Sequence, residues 1–368
     1  MKYKKYLLNY LPQSCLYMRF KDFLKNKDID ISVRRYLVDA LGAMAQGLFC
    51  SLLIGTILNT VGTKFGLDFI TQVGGFASKM SGPAMAIAIG YALKSPPLVL
   101  FSLTAVGFAS NSLGGAGGPL AVLFIAIIAA EFGKAVSKET DIDILVTPLV
   151  TIFIGCALAL LIAAPIGRAA SWLGNIIMWA TDLRPFLMGI LVSVVVGVIL
   201  TLPISSAAIC AALSLTGLAG GAAVAGCCAN MVGFAVLSFK ENGWGGIISQ
   251  GIGTSMLQMG NIVKNPKIWL PVIAASAVTG PVATCLFRMQ QNGPAIASGM
   301  GTCGLVGPIG VYSGWISDIS AGTKSAVTMT DWLAMLLICF ILPGVLSWFF
   351  GLVCRRLGWI KEGDLLLK

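Results

Sequence analysis

From Leu37 to Val353 the chain is a succession of apolar runs, several of them long enough to cross a bilayer, and its charges sit mainly at the two ends and in short breaks. A globular domain covers its surface with charge, about 25% of residues in ordinary soluble proteins. Here only 11% of residues are charged and 57% are apolar, so most of the surface must face lipid. At about 20 residues per span plus loops, 368 residues admit roughly eight to ten transmembrane helices. Long unbroken runs exclude the short alternating segments of a membrane β-barrel. The 44 glycines suit helices that associate by close backbone approach at small side chains. The expected fold is an all-α polytopic membrane protein of about ten transmembrane helices, with one interfacial amphipathic helix and one or two re-entrant hairpins.

The net charge of +10 is placed against a nucleic-acid partner. Nine of the 25 Lys and Arg precede Tyr36, and a basic segment beside the first span is the mark of a cytoplasmic N-terminus. Tyr3, Tyr6, Leu7, Leu8 and Tyr10 interleave with lysines there, so this segment can rest on anionic headgroups. Its charge and its lack of a nearby small-residue cleavage site exclude a secretory signal peptide. Arg355, Arg356, Lys361 and Lys368 place the C-terminal tail inside as well, which requires an even number of spans. Three parts follow: a basic segment 1–35, a transmembrane domain 36–356 and a cytoplasmic tail 357–368. Most cysteines lie in apolar runs, where Cys acts as a small hydrophobe. The chain has no His and no metal-ligand spacing, so neither a metal nor a cofactor is expected, and a phosphohistidine carrier is excluded.

Along the chain, a first span runs from Leu37 to Val61. A second element, Leu67 to Leu93, is broken at Lys79-Met80-Ser81-Gly82-Pro83. A span then reaches Asn111, a Gly-rich turn follows at 113–119, and another span covers Leu120 to Phe132. The stretch 134–143 reads as a loop, and Ile144 to Ile166 as a long span. Arg168 to Asp182 places Trp172, Leu173, Ile176, Ile177 and Trp179 roughly on one face, the pattern of an interfacial helix. Later spans cover Phe186–Leu202, Leu218–Phe239, Ile268–Phe287 and Trp332–Val353. Between them, 243–267 and 292–316 are too polar to cross and too apolar for loops, as in re-entrant hairpins. Broken, Gly-Pro-punctuated helices in separated regions are the sequence mark of a transporter binding site.

Four segments carry a family resemblance: PAMAIAIGYALKSPPLVLFSLTAVGFASNSLGGAGGPLAVLFIAIIAAEF, DILVTPLVTIFIGCALALLIAAPIG, LTLPISSAAICAAL and GIGTSMLQMGNIVKNPKIWLPVIAASAVTGPV. Together they resemble the membrane-embedded sugar permease subunit (EIIC) of the phosphoenolpyruvate-dependent phosphotransferase system. The texture is closest to the fructose-type branch. The third segment stands where the family has Gly-Gly-Pro-x-Asn-Lys-Ala-Ala, with Ser205-Ser206 in place of Asn-Lys. The fourth stands where the family has an Ile-Thr-Glu-Gly hairpin whose Glu contributes to sugar recognition. Ser255 or Met256 occupies that place here. These departures resemble a divergent EIIC-like branch that includes membrane regulators related to the perfringolysin regulatory protein. The resemblance implies a homodimer in the bacterial cytoplasmic membrane, moving a sugar-like solute by rigid-body alternating access, with any phosphorylation left to separate IIA and IIB proteins.

A sugar offers donors and acceptors, which hydroxyl and amide side chains match without placing a charge at the midplane. The candidate substrate-binding residues are Ser205, Ser206, Thr254, Ser255, Gln258 and Asn261, with Asn111 and Asn230 as secondary candidates. No nucleophile–base pair supports an intramembrane enzyme. The competing readings are a permease subunit and a membrane sensor or regulator that keeps the fold without phosphotransfer.

Overall fold

The structure, a computed structural model, describes residues 22–367. The expectations for Tyr3, Tyr6, Leu7, Leu8 and Tyr10 lie outside the described residues. Among the described residues all regular structure is helical, apart from one antiparallel bridge between Gly217 and Gln291. In chain order the helices are α1 (Arg34–Thr63), α2 (Asp68–Lys79) and α3 (Ser81–Ala92). Then come α4 (Pro97–Gly114) and α5 (Gly118–Val136), α6 (Asp143–Thr181), α7 (Pro185–Thr201) and the short α8 (Ser206–Ala212). The last six are α9 (Gly217–Leu237), α10 (Phe239–Ile248) and α11 (Met259–Lys264), α12 (Pro266–Leu286), α13 (Val306–Ser320) and α14 (Met329–Arg356). Among the described residues, six stretches are long and apolar enough to cross a membrane: α1, α4–α5 together, α6, α9, α12 and α14.

Proline placement explains many of the starts. Pro83, Pro97, Pro119 and Pro185 all fall in the first turn of their helices, where no backbone N–H is needed. The expected break at Lys79–Pro83 is a single non-helical residue, Met80, between α2 and α3. The Gly-rich turn becomes one 3₁₀ turn, Gly115–Gly117. Gly115 sits there at φ 50°, ψ −123°, a conformation that only glycine adopts without strain.

Two sets of helices make the interior. In the first, α1, α3, α4, α5 and part of α6 share one apolar core with α11 and the segment after α14. In the second, α9 is almost wholly enclosed by α7, α12 and α14. Its run of Gly, Ala and Cys allows that approach, because close contact between membrane helices requires small side chains. Gly226 is the tightest of these positions, and a Cβ there would overlap the Ser193 carbonyl of α7. Gly226→Ala must push α7 and α9 apart, at a cost of about 1–3 kcal/mol for overpacking. Thermal unfolding in detergent should show the variant as clearly less stable.

Three expectations change in detail. Arg168–Asp182 is not a separate helix but continues α6, after a π-helical turn at Ala159–Ala163 and Pro165. Trp172 and Trp179 are exposed on it while Gly174 and Ile177 are buried, so Ile177 does not share a face with the two tryptophans as expected. The loop expected from residue 134 begins later, because α5 runs to Val136 and buries Lys134. The basic segment before Tyr36 is also not separate over its described part. Lys27 pairs with Glu139, and Arg35 bonds Asp28 at 2.8 Å and the Leu93 carbonyl at 2.7 Å. The Arg35 guanidinium holds the Asp28 carboxyl below the usual carboxylate range.

Candidate functional site

Five helix interruptions meet around one cavity of about 220 Å³. Ser81 comes from the α2–α3 break, Asn111 and Gly115 from the α4–α5 junction, and Ser205 and Ser206 from the start of α8. Thr254 and Met256 come from the bend between α10 and α11, and Met300 and Cys303 from the irregular chain before α13. Helix α1 closes one wall with Leu48, Leu52 and Thr56. None of the lining residues is charged.

The bend that carries Thr254 is built from short turns. After α10 the chain makes a π-helical turn, Ser249–Gly253, then extends at Thr254 (φ −154°, ψ 139°) and returns through a 3₁₀ turn, Ser255–Gln258. Across the two limbs, Gln258 Nε2 donates to Gln250 Oε1 at 2.8 Å. Residues 293–305 double back before α13 through two 3₁₀ turns and three left-handed residues, Gly301, Gly304 and Leu305.

The polar atoms of the cavity divide by what they have left to offer. Ser205 Oγ accepts from the Ala208 N–H at 3.2 Å, and Thr254 Oγ1 accepts from the Met256 N–H at 3.2 Å. Ser81 Oγ accepts from Asn111 Nδ2 at 3.2 Å. Each of these hydroxyls is used as an acceptor, so its proton remains to be donated. Ser206 spends its proton on the Gly299 carbonyl at 2.6 Å and Thr56 on the Leu52 carbonyl at 2.7 Å, which leaves both with lone pairs. The cavity therefore presents uncharged donors and acceptors among Leu, Ile and Met side chains.

Of the eight residues singled out in the sequence, Asn111, Ser205, Ser206 and Thr254 line this cavity. Asn230 and Ser255 lie behind it in a buried network: Thr201 Oγ1 is 2.8 Å from Ser255 Oγ and donates to Asn230 Oδ1 at 3.3 Å. The same Oδ1 accepts from Trp269 Nε1 at 3.1 Å, while Asn230 Nδ2 donates to Ser276 Oγ at 3.1 Å and to the Gly226 carbonyl at 3.1 Å. Gln258 and Asn261 point elsewhere and grip the segment that follows α14. Gln258 Nε2 donates to the Leu365 carbonyl at 3.0 Å and Asn261 Nδ2 to the Leu366 carbonyl at 3.0 Å. Asn242 holds the same segment, donating to the Leu365 carbonyl and accepting from the Leu367 N–H, both at 2.8 Å. Sequence reasoning did not include Ser81, Thr56 and Met256 among the candidate contacts. Ser81 carried a signal as the first residue past the break, and Met256 as one of the two residues at the place of the family's Glu.

Broken helices around an uncharged cavity, inside a bundle of apolar helices, define an integral membrane protein of the transporter class. Residues 38–367 match the sequence profile of the family described as "Phosphotransferase system, EIIC", and the chain belongs to that family of phosphotransferase-system membrane permease components. Neither the curated proteins nor the solved structures contain a significant match to it.

Proposed function

We propose that the protein binds and translocates a small, neutral, hydroxyl-bearing solute of the sugar or polyol type, in the cavity between the helix breaks. The observation that carries this is the convergence of five interrupted segments on uncharged donors and acceptors. A charged solute would meet no counter-charge there. Asn111, Ser205, Ser206 and Thr254 are the proposed contacts, while Asn230 and Ser255 support the wall and Gln258 and Asn261 brace the hairpin. Translocation proceeds by movement of the hairpin-bearing part against the rest of the bundle. We further propose an even number of spans near ten, with both ends on the cytoplasmic side of the bacterial membrane and the protein working as a homodimer. Separate IIA and IIB proteins would phosphorylate the solute.

A thermal-shift screen of the purified protein against sugars, polyols and sugar acids tests the solute class: neutral ligands should stabilise it and sugar acids should not. With a ligand in hand, Asn111→Ala combined with Thr254→Val should weaken binding at least about tenfold, the equivalent of one lost hydrogen bond of about 1.4 kcal/mol. Unchanged binding in that double variant overturns the cavity assignment.

The reading as a sensor is favoured by one residue. Met256 faces the cavity and Ser255 turns away from it, so neither supplies the carboxylate that the family resemblance implies for sugar handling. A ligand that stabilises the protein but is not taken up by proteoliposomes, with or without IIA and IIB proteins, would decide for the sensor.

A further inference from the structure

A second cavity of about 410 Å³ lies away from the first and shares no residue with it; Arg288, Asn292, Trp315, Asp318, Lys324 and Asp331 are among its lining residues. Asp331 is in the first turn of α14 and the amide-gripped segment follows its last turn. At 1.5 Å per residue the cavity is therefore about 40 Å from that segment, at the opposite end of the bundle.

Two of its four charges are satisfied by each other. Lys324 Nζ meets Asp331 Oδ1 at 2.7 Å and lies 5.5 Å from the Trp315 ring centroid. The other two have no partner of opposite charge among the described residues. Asp318 is met only by a neutral amide, Asn292 Nδ2, which reaches both carboxylate oxygens at 3.1 and 2.9 Å. The Arg288 guanidinium is within ion-pair reach of no carboxylate, Asp318 included, although both line the same cavity.

Arg288 is also held in a left-handed conformation, φ 47°, which is costly for a residue with a side chain. The flanking backbone enforces it: Met289 N–H donates to the Ala283 carbonyl at 2.9 Å, and Gln291 pairs with Gly217 in both directions at 2.9 Å. Strain of this kind, at a cationic residue facing a cavity, points to function.

We propose that this cavity binds a small zwitterion, its oxyanion on Arg288 and its ammonium on Asp318. A guanidinium takes phosphate or carboxylate oxygens in pairs, and a carboxylate with only a neutral partner completes the complement. The same chemistry is offered by a phosphoethanolamine lipid headgroup and by a free soluble zwitterion. Tyr312, Trp315 and Trp332 cluster at the cavity, with centroids 5.4–6.3 Å apart and two of the three pairs edge to face, as aromatic residues gather at headgroup level. This site is independent of the solute cavity and goes beyond the transport reading.

The test is thermal unfolding of the full chain in detergent with four separate additions: phosphatidylethanolamine, phosphatidylglycerol, O-phosphoethanolamine and glycerol phosphate. A shift with phosphatidylethanolamine alone identifies the headgroup, and a shift with O-phosphoethanolamine identifies a soluble ligand. Arg288→Gln and Asp318→Asn should each weaken the effective zwitterion by about ten- to a hundredfold, the loss of one charged hydrogen bond. Arg288 is exposed, so Arg288→Gln should keep the unliganded melting temperature and remains informative if Asp318→Asn folds poorly. The proposal is overturned if neither zwitterion shifts the transition, if the anion-only compounds match the zwitterions, or if Arg288→Gln retains the full shift.

Discussion

Lys134→Met should destabilise the protein by about 3–5 kcal/mol, the usual cost of removing one partner from a buried ion pair. Lys134 is 2% exposed. Its ammonium forms an ion pair with Glu131 Oε2 at 2.7 Å and donates to the Asp28 carbonyl at 2.9 Å and the Leu93 carbonyl at 3.0 Å. Without the ammonium, Glu131 keeps only the Tyr36 hydroxyl, at 3.1 Å, and two carbonyls lose a donor. One lysine thus ties the chain before α1 to the ends of α3 and α5. The double variant Glu131→Gln, Lys134→Met should recover part of the loss, because deleting both members of a buried pair costs far less than deleting one. Lys27→Ala is the contrasting case. Its partner Glu139 is half exposed, and surface pairs contribute about 0–1 kcal/mol. Unfolding followed by tryptophan fluorescence checks all three variants. A double variant as unstable as Lys134→Met would refute the pairing argument.

That lysine also shows where the sequence stops being readable. Lys134 looks like a loop residue because a charge after an apolar run normally marks solvent. Its burial depends on Asp28 and Leu93, 106 and 41 residues away, and nothing local announces them. The breaks were legible for the opposite reason. Met80 and Gly115–Gly117 follow from Gly and Pro, whose backbone limits act at their own positions. The continuation of α6 through Arg168 was hidden, because a proline that follows a π-helical turn bends a membrane helix without ending it. Around the cavity, hydroxyl and amide content drew attention to segments that line it, but not to which side chains face inward. Ser255 and Met256 are neighbours on one 3₁₀ turn, yet Ser255 bonds Thr201 and Met256 faces the cavity. Gln258 and Asn261 are directed by acceptors 107 and 105 residues further along.

Asn230→Leu should be the most damaging single change near the cavity. The residue is fully buried in α9, and its amide joins three helices: Gly226 of its own helix, Thr201 at the end of α7, and Trp269 and Ser276 of α12. Through Thr201 it also fixes Ser255, next to Thr254 of the cavity wall. Leucine has a similar size, so no large cavity arises. The cost is electrostatic, since the Trp269 N–H loses its acceptor while Thr201 and Ser276 each lose a partner. The Trp269 N–H is left stranded, at about 1–3 kcal/mol, and relief by water is restricted inside an apolar bundle. Thr201 keeps Gly197 and Ser255, and Ser276 keeps the Val272 carbonyl, so each loses one hydrogen bond of about 0.5–1.5 kcal/mol. A loss of about 2–6 kcal/mol is expected, read as a fall in melting temperature and in folded yield. Asn230→Ser should be milder, because a hydroxyl can still accept from Trp269 or donate to Ser276, though not both with the same reach. The contrast with Thr254→Val separates support from contact. Thr254 gives up one local backbone bond, so its loss should appear in ligand affinity with stability nearly intact. Asn230→Leu should do the reverse, lowering stability while the surviving folded fraction still binds. Ligand binding abolished in a stable Asn230→Leu protein would move Asn230 from the supporting wall to the solute itself.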